Sequence, residues 1–172
     1  MTQQTLTPDS AIRPSPFKTI LLAWFLAGTL DAAAAVGNYL IATGGNPIRV
    51  FQFIASGVFG REAFSGGMTM ALWGGFFHYA IALGWTDFFF IIYPKIPLLA
   101  RNKYLTGLAY GLFVWLVMNL VVLPLSNVNR APFDFMRAIQ GIAILMACVG
   151  LPISLVVGKY YRARLPASQR EG

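Results

Sequence analysis

Residues Gly67 to Lys95 read GMTMALWGGFFHYAIALGWTDFFFIIYPK, an apolar and aromatic run closed by Tyr93, Pro94 and Lys95. A helix needs about 20 apolar residues to cross a bilayer, and this run exceeds that. Lipid offers the backbone no hydrogen-bond partners, so a run of this kind must close its own bonds as a membrane-spanning helix. It carries the only histidine of the chain, His78, and an acid, Asp87.

The rest of the chain shares the bias. Of 172 residues, 57% are hydrophobic and 11% charged, against about 25% charged in soluble domains. Too few charges remain to cover a water-facing surface. The length allows roughly four spans with short loops, hence a single membrane domain. The net charge of +7 does not indicate nucleic acid. The basic residues sit at the ends of apolar segments, where the positive-inside rule and anionic headgroups place them. Cys148 is the only cysteine. An intrachain disulfide, a Cys-x-x-Cys redox pair and a cysteine-built zinc site are therefore excluded. A single histidine excludes a bis-histidine haem within one chain. No cofactor is indicated.

These patterns predict an all-α membrane protein, a four-transmembrane-helix bundle. A polar, proline-bearing tail occupies residues 1–16. The spans are expected near 17–43, 67–93, 104–125 and 135–161, followed by a basic tail at 162–172. The Ala32 to Ala35 run resembles a signal-peptidase site, but Asp31 interrupts the apolar run and apolar sequence continues to Ala42. The segment is kept as a span. Gly44, Gly45, Asn46 and Pro47 end it. The stretch 47–59 is too short to cross. Arg49, Gln52 and Ser56 fall on one side of it and Phe51, Ile54, Ala55, Val58 and Phe59 on the other. It reads as one amphipathic helix in the outer interface, between spans one and two, with a wetted polar stripe. A re-entrant loop is the alternative. Gly150 and Pro152 predict a kink in span four.

Orientation follows from the basic residues. With both termini inside, Arg13, Lys18, Lys95, Arg101, Lys103, Lys159, Arg162, Arg164 and Arg170 face the interior, against Arg49, Arg61, Arg130 and Arg137 outside. That asymmetry predicts N-in/C-in. Tyr93, Tyr104, Tyr160 and Tyr161 gather at the inner boundary as an aromatic belt. Asp87, Lys95, Arg101 and Lys103 form the inner-interface group, with Lys18, Lys95 or Lys103 within reach of Asp87.

Small residues mark the packing faces: Gly28 in span one, the Gly74–His78–Ala82 seam in span two, and Gly107 and Gly111 in span three. The seam is expected to meet the Asp31 face of span one. Such faces also suit self-association, so a homo-oligomer or a membrane-protein partner is expected beside the lipid bilayer itself.

The ending YPKIPL of span two, followed by TGLAYGLFVWLVMNLVVLPL, resembles the YagU-like family of small bacterial inner-membrane proteins. AGTLDAAAAVGN in span one fits the same pattern. The resemblance covers about half the chain, chiefly residues 84–125. It rests on Pro94, Lys95, Ile96, Gly107, Gly111, Pro124 and Leu125. It implies a multi-pass protein of the bacterial inner membrane and no particular activity. The chain departs from the pattern at Asn119, where the family tends to carry histidine, and at Asp31, where it lacks an acid. An ionisable mechanism is therefore not carried over.

Asp31, His78, Asn119 and Asn38 form the candidate intramembrane polar site. Asp31 and Asn38 are seven apart, on nearly one face of span one. Counting along the spans brings Asp31, His78 and Asn119 to similar depths. Intramembrane ionisable groups are costly and often mark ion or proton paths, and a histidine beside a carboxylate changes charge near neutral pH. One Asp–His hydrogen bond that locks two helices is the structural alternative. Enzyme chemistry finds no support. Ser65 lies a dozen residues from His78, and neither a Gly-x-Ser-x-Gly elbow nor a phosphate loop occurs. Met68, Met70, Met118 and Met146 read as packing residues rather than metal ligands. The expectation is a structural or accessory membrane protein that self-associates. The second is a small proton- or solute-conducting transporter or channel using Asp31 and His78.

Overall fold

A computed structural model of the chain describes residues 15–129 and 132–164. The expected tails therefore fall almost wholly outside the described residues, as do Arg13, Arg130 and Arg170. The elements are α1 (Pro16–Thr43), α2 (Ile48–Phe59), α3 (Gly67–Ile92), α4 (Leu98–Arg101), α5 (Lys103–Leu125) and α6 (Phe135–Arg162). No strand occurs among the described residues. Four helices are long and apolar enough to cross a membrane: α1, α3 with its extension to Lys95, α5 and α6. This is the architecture of a multi-pass membrane bundle, and its spans agree with the expected ones to within a residue or two.

Local chemistry sets the helix ends. Pro16 opens α1 where its missing N–H costs nothing. Gly44 closes α1 in the left-handed conformation (φ 62°), its N–H returning to Leu40 O at 2.8 Å. The Asn102 side chain accepts from the N–H groups of Tyr104 and Leu105 at the start of α5. Asp134 accepts from the N–H of Arg137 at the start of α6.

The two long C-terminal helices each contain one widened turn. In α5 it spans Met118–Val122, and the Leu123 N–H reaches back to Met118 O. In α6 it spans Met146–Gly150, and the Leu151 N–H reaches back to Met146 O. Both lie directly before a proline, Pro124 or Pro152. A proline ring clashes with the carbonyl four residues earlier, here Leu120 and Cys148, and the π turn swings that carbonyl aside. The expected irregularity in α6 is thus this π turn.

Helix α1 packs against α3 and α6, and α6 packs on α5. The α5–α6 contact is backbone on backbone. A Cβ on Gly107 would stand 2.9 Å from Leu151 Cα, and one on Gly111 would strike the Met146 backbone. A Cβ on Gly150 would strike Gly107 O and stand 2.6 Å from Gly111 N. Gly28 meets the Tyr79 ring and Ala82 of α3, whereas Gly74 meets the backbone of Phe51 in α2. One correction follows. The Gly74–His78–Ala82 seam does not face one helix: its first turn serves α2 and its last serves α1. Gly28, Gly74, Gly107 and Gly111 each meet another element of the same chain.

The apolar core occupies the half of the bundle nearer the termini: Ala23, Ala27, Phe89, Tyr93, Tyr110, Val114, Val149, Ile153 and Val157. Tyr93 and Tyr160 are buried, so they are core residues rather than members of an interfacial belt. Tyr93 fits because Gly158 leaves room beside its hydroxyl. Tyr161 stacks on Tyr93 and donates to Phe90 O at 3.0 Å, and only Tyr104 of the four stands well exposed.

Helix α2 lies across the opposite end of the bundle, on α3. Its expected wet stripe holds only in part. Arg49 is exposed, but Gln52 and Ser56 are buried, 4% and 2% exposed, beside Ala55, while Phe53 and Val58 are exposed. The reason is hydrogen bonding: Gln52 Nε2 donates to Gly67 O at 3.0 Å, and the Ser56 hydroxyl donates to Phe53 O. The Asn127 side chain and N–H bind Val58 O and Gly57 O, which ties α2 to the α5–α6 connection. Gln52→Leu should lower stability by about 1 kcal/mol in a detergent unfolding titration. Val58→Ala, on the open side, should change it by less than about 0.5 kcal/mol.

Candidate functional site

The site is built where α1 crosses α3. The absence of a side chain at Gly28 lets the Tyr79 ring close on the α1 backbone. Three polar ties fix the crossing. Trp24 Nε1 donates to Tyr79 O at 2.7 Å, the Thr29 and Tyr79 hydroxyls lie 3.0 Å apart, and His78 Nε2 lies 2.8 Å from Gly28 O. A carbonyl only accepts, so Nε2 carries the proton and Nδ1 is the open position of the ring. Sequence reasoning missed Trp24, Thr29 and Tyr79. Trp24, Gly28 and Asp31 do follow one helical stripe (i, i+4, i+7), which was the available signal.

Asp31 lies one turn beyond Gly28. It is not hydrogen-bonded to His78: the one ion pair within 4.0 Å among the described residues is Arg137 with Asp134, at 3.6 Å. The imidazole is held by the Gly28 carbonyl instead of the carboxylate. Asp31 and His78 nonetheless line the same two cavities. No buried side-chain nitrogen or oxygen lacks a partner among the described residues. The Asp31 carboxylate and His78 Nδ1 have none and so open onto cavity space.

That space has two chambers sharing Asp31, Ile54 and His78. The inner chamber, about 210 Å³, runs along the bundle axis and is otherwise apolar, with Trp85, Val114, Met118, Leu145 and Val149 in its walls. Met118 belongs to the π turn of α5, and Leu145 and Val149 flank or belong to that of α6. The vestibule, about 830 Å³, lies toward α2 and has mixed walls, with Asn38, Thr43, Arg49, Arg137 and Gln140 set among apolar side chains such as Phe51 and Phe64. Its volume falls in the ordinary range for small-ligand pockets. Below the inner chamber the buried core closes the bundle. The arrangement is a one-sided, largely apolar pocket with a few polar side chains in its outer walls and a carboxylate and an imidazole at its floor.

Of the predicted site residues, Asp31, His78 and Asn38 come together. Asn119 does not. Its amide donates to Trp115 O of its own helix at 2.9 Å, and it lines a neighbouring cavity of about 670 Å³ with Asp134 and Arg137. Helix rotation, which depth counting ignores, separates it from the site. Arg137 and Phe53 line both spaces. Asp87, Lys95, Arg101 and Lys103 lie at the terminus-bearing end, and Asp87 has no cation within 4.0 Å among the described residues. The Lys103 ammonium instead sits 5.0 Å over the Tyr104 ring. The Ser65 hydroxyl closes its own turn on Glu62 O. Comparison with family models, with curated proteins and with solved structures finds no match to the chain.

Proposed function

We propose that the protein is a small transporter that moves protons, alone or with a small polar solute, through the Asp31–His78 pocket. One observation carries this reading: a carboxylate and an imidazole from two different spans, Asp31 and His78, open together onto the same cavity. A purely structural pair would be hydrogen-bonded to itself and packed dry. The closed core below argues for a carrier that alternates rather than for an open channel. The accessory, self-associating role draws less support, since Gly28, Gly74, Gly107 and Gly111 are used within the chain.

The proposal includes the orientation and the membrane. Among the described residues, Lys18, Lys95, Arg101, Lys103, Lys159, Arg162 and Arg164 lie at the terminus-bearing end, and Arg49, Arg61 and Arg137 at the other. This asymmetry supports N-in/C-in. It puts the vestibule on the outer side and α2 in the outer interface, with Phe53 and Val58 toward lipid. The bacterial inner membrane follows from the YagU-like resemblance. The test is proton movement into proteoliposomes under an imposed pH gradient, with amino acids and sugars outside. Wild-type protein should dissipate the gradient well above empty liposomes, and Asp31→Asn should return it to background. Wild-type protein that matches empty liposomes overturns the proposal.

A further inference from the structure

At the end remote from the vestibule, a groove of about 440 Å³ runs between α5 and α6, lined by Lys103, Leu155, Lys159, Arg162 and Ala163. Three cations converge there, and among the described residues no acid lines the groove. None of the three has a carboxylate within 4.0 Å among the described residues. Lys159 and Arg162 occupy the last turn of α6, where cations complement the helix dipole. That explanation covers two of them and leaves Lys103, which comes from the first residue of the neighbouring helix. The junction is built rather than incidental. The buried Ser154 hydroxyl donates to Lys103 O at 2.8 Å and fixes the start of α5 against the turn that carries Leu155. Leu155 adds an apolar wall beneath the charges.

We infer that this groove binds the phosphate of an anionic phospholipid, with the acyl chains along α5 and α6. A phosphate supplies the anionic oxygens that none of the three cations finds in a carboxylate among the described residues. Basic pockets between spanning helices are the sites that take lipid phosphates, and the apolar wall favours a lipid over a free ion. The inference stands apart from the proposed transport, since it uses no residue of the vestibule.

The full chain in a neutral detergent, titrated with dioctanoyl-phosphatidylglycerol, tests it. The controls are dioctanoyl-phosphatidylcholine and inorganic phosphate. Saturable binding of phosphatidylglycerol is expected, with phosphatidylcholine at least tenfold weaker. At roughly fivefold per cation, the triple variant K103Q/K159Q/R162Q should bind on the order of 100-fold more weakly. K95Q/R101Q removes two charges at the same end but outside the groove and should change affinity less than threefold. Equal losses in the two variants would mean diffuse surface charge and overturn the site. Equal binding of both lipids would do the same. Inorganic phosphate that displaces phosphatidylglycerol at comparable concentration would overturn the lipid as occupant. Unfolding titrations of both variants without lipid separate lost binding from lost fold, and an unfolded triple variant is replaced by Lys103→Gln alone, expected to bind about fivefold more weakly.

Discussion

Gly150→Ala should be among the most destabilising single-methyl additions in the chain. The new Cβ would strike Gly107 O and stand 2.6 Å from Gly111 N and 2.9 Å from Gly111 Cα. These are backbone atoms of a continuous helix, so no side chain can rotate out of the way. Either α5 and α6 move apart along the whole contact or the π turn of α6 rearranges. Overpacking ordinarily costs about 1–3 kcal/mol, occasionally more. A clash with backbone belongs at the top of that range, so a loss of about 3 kcal/mol is expected in a detergent unfolding titration. Gly37→Ala and Gly84→Ala are the controls, because a Cβ at either meets nothing within 4 Å. In a helix interior they should be neutral or gain up to about 1 kcal/mol. A Gly150→Ala protein as stable as these controls would mean that α5 and α6 are not in backbone contact.

The same glycines explain how much of the fold the sequence disclosed. Span number and limits were legible because lipid forces every apolar run into a helix, whatever it packs against. The Gly107–Gly111 spacing announced a close contact but not its partner, since Gly150 is remote in sequence and looked like a kink residue beside Pro152. Gly150 and Pro152 foretold irregular helix in α6 but not its form, which depends on where a carbonyl can swing, and the π turn of α5 before Pro124 was not foretold. The polar stripe of α2 was read as wetted along its whole length. Amphipathic logic assumes that the polar side seeks water. Here Arg49 stays exposed, but Gln52 finds an acceptor in Gly67 O at the start of α3 and is buried with Ser56 and Ala55.

The site was half legible for a similar reason. Asp31, Asn38 and His78 could be picked out because titratable and amide groups are rare within apolar runs. Their mutual distance could not, because it depends on helix rotation and on where the backbones approach. Asn119 had the right depth and the wrong rotation. Arg137 and Gln140 come from the far end of α6 and reach the vestibule only through the antiparallel packing of that helix. Nothing in the spacing of residues 137–140 points toward residue 31.

His78→Gln separates the two things His78 does. Glutamine keeps an amide that can donate to Gly28 O, so the α1–α3 tie survives, but it cannot take a second proton. Its stability should stay within about 0.5 kcal/mol of wild type, while proton movement in liposomes should fall at least tenfold, to the level of Asp31→Asn. His78→Ala removes the tie as well. Interhelical hydrogen bonds are worth about 0.6 kcal/mol on average and up to about 1.7. Truncation also enlarges the inner chamber, which adds to the cost. His78→Ala should therefore lose both flux and stability, and His78→Gln only flux. If His78→Gln conducts like wild type while Asp31→Asn does not, the histidine is only a helix tie and the carboxylate alone carries the proton. The division rests on the ring geometry: Nε2 is occupied by Gly28, and only Nδ1 is open to the cavity.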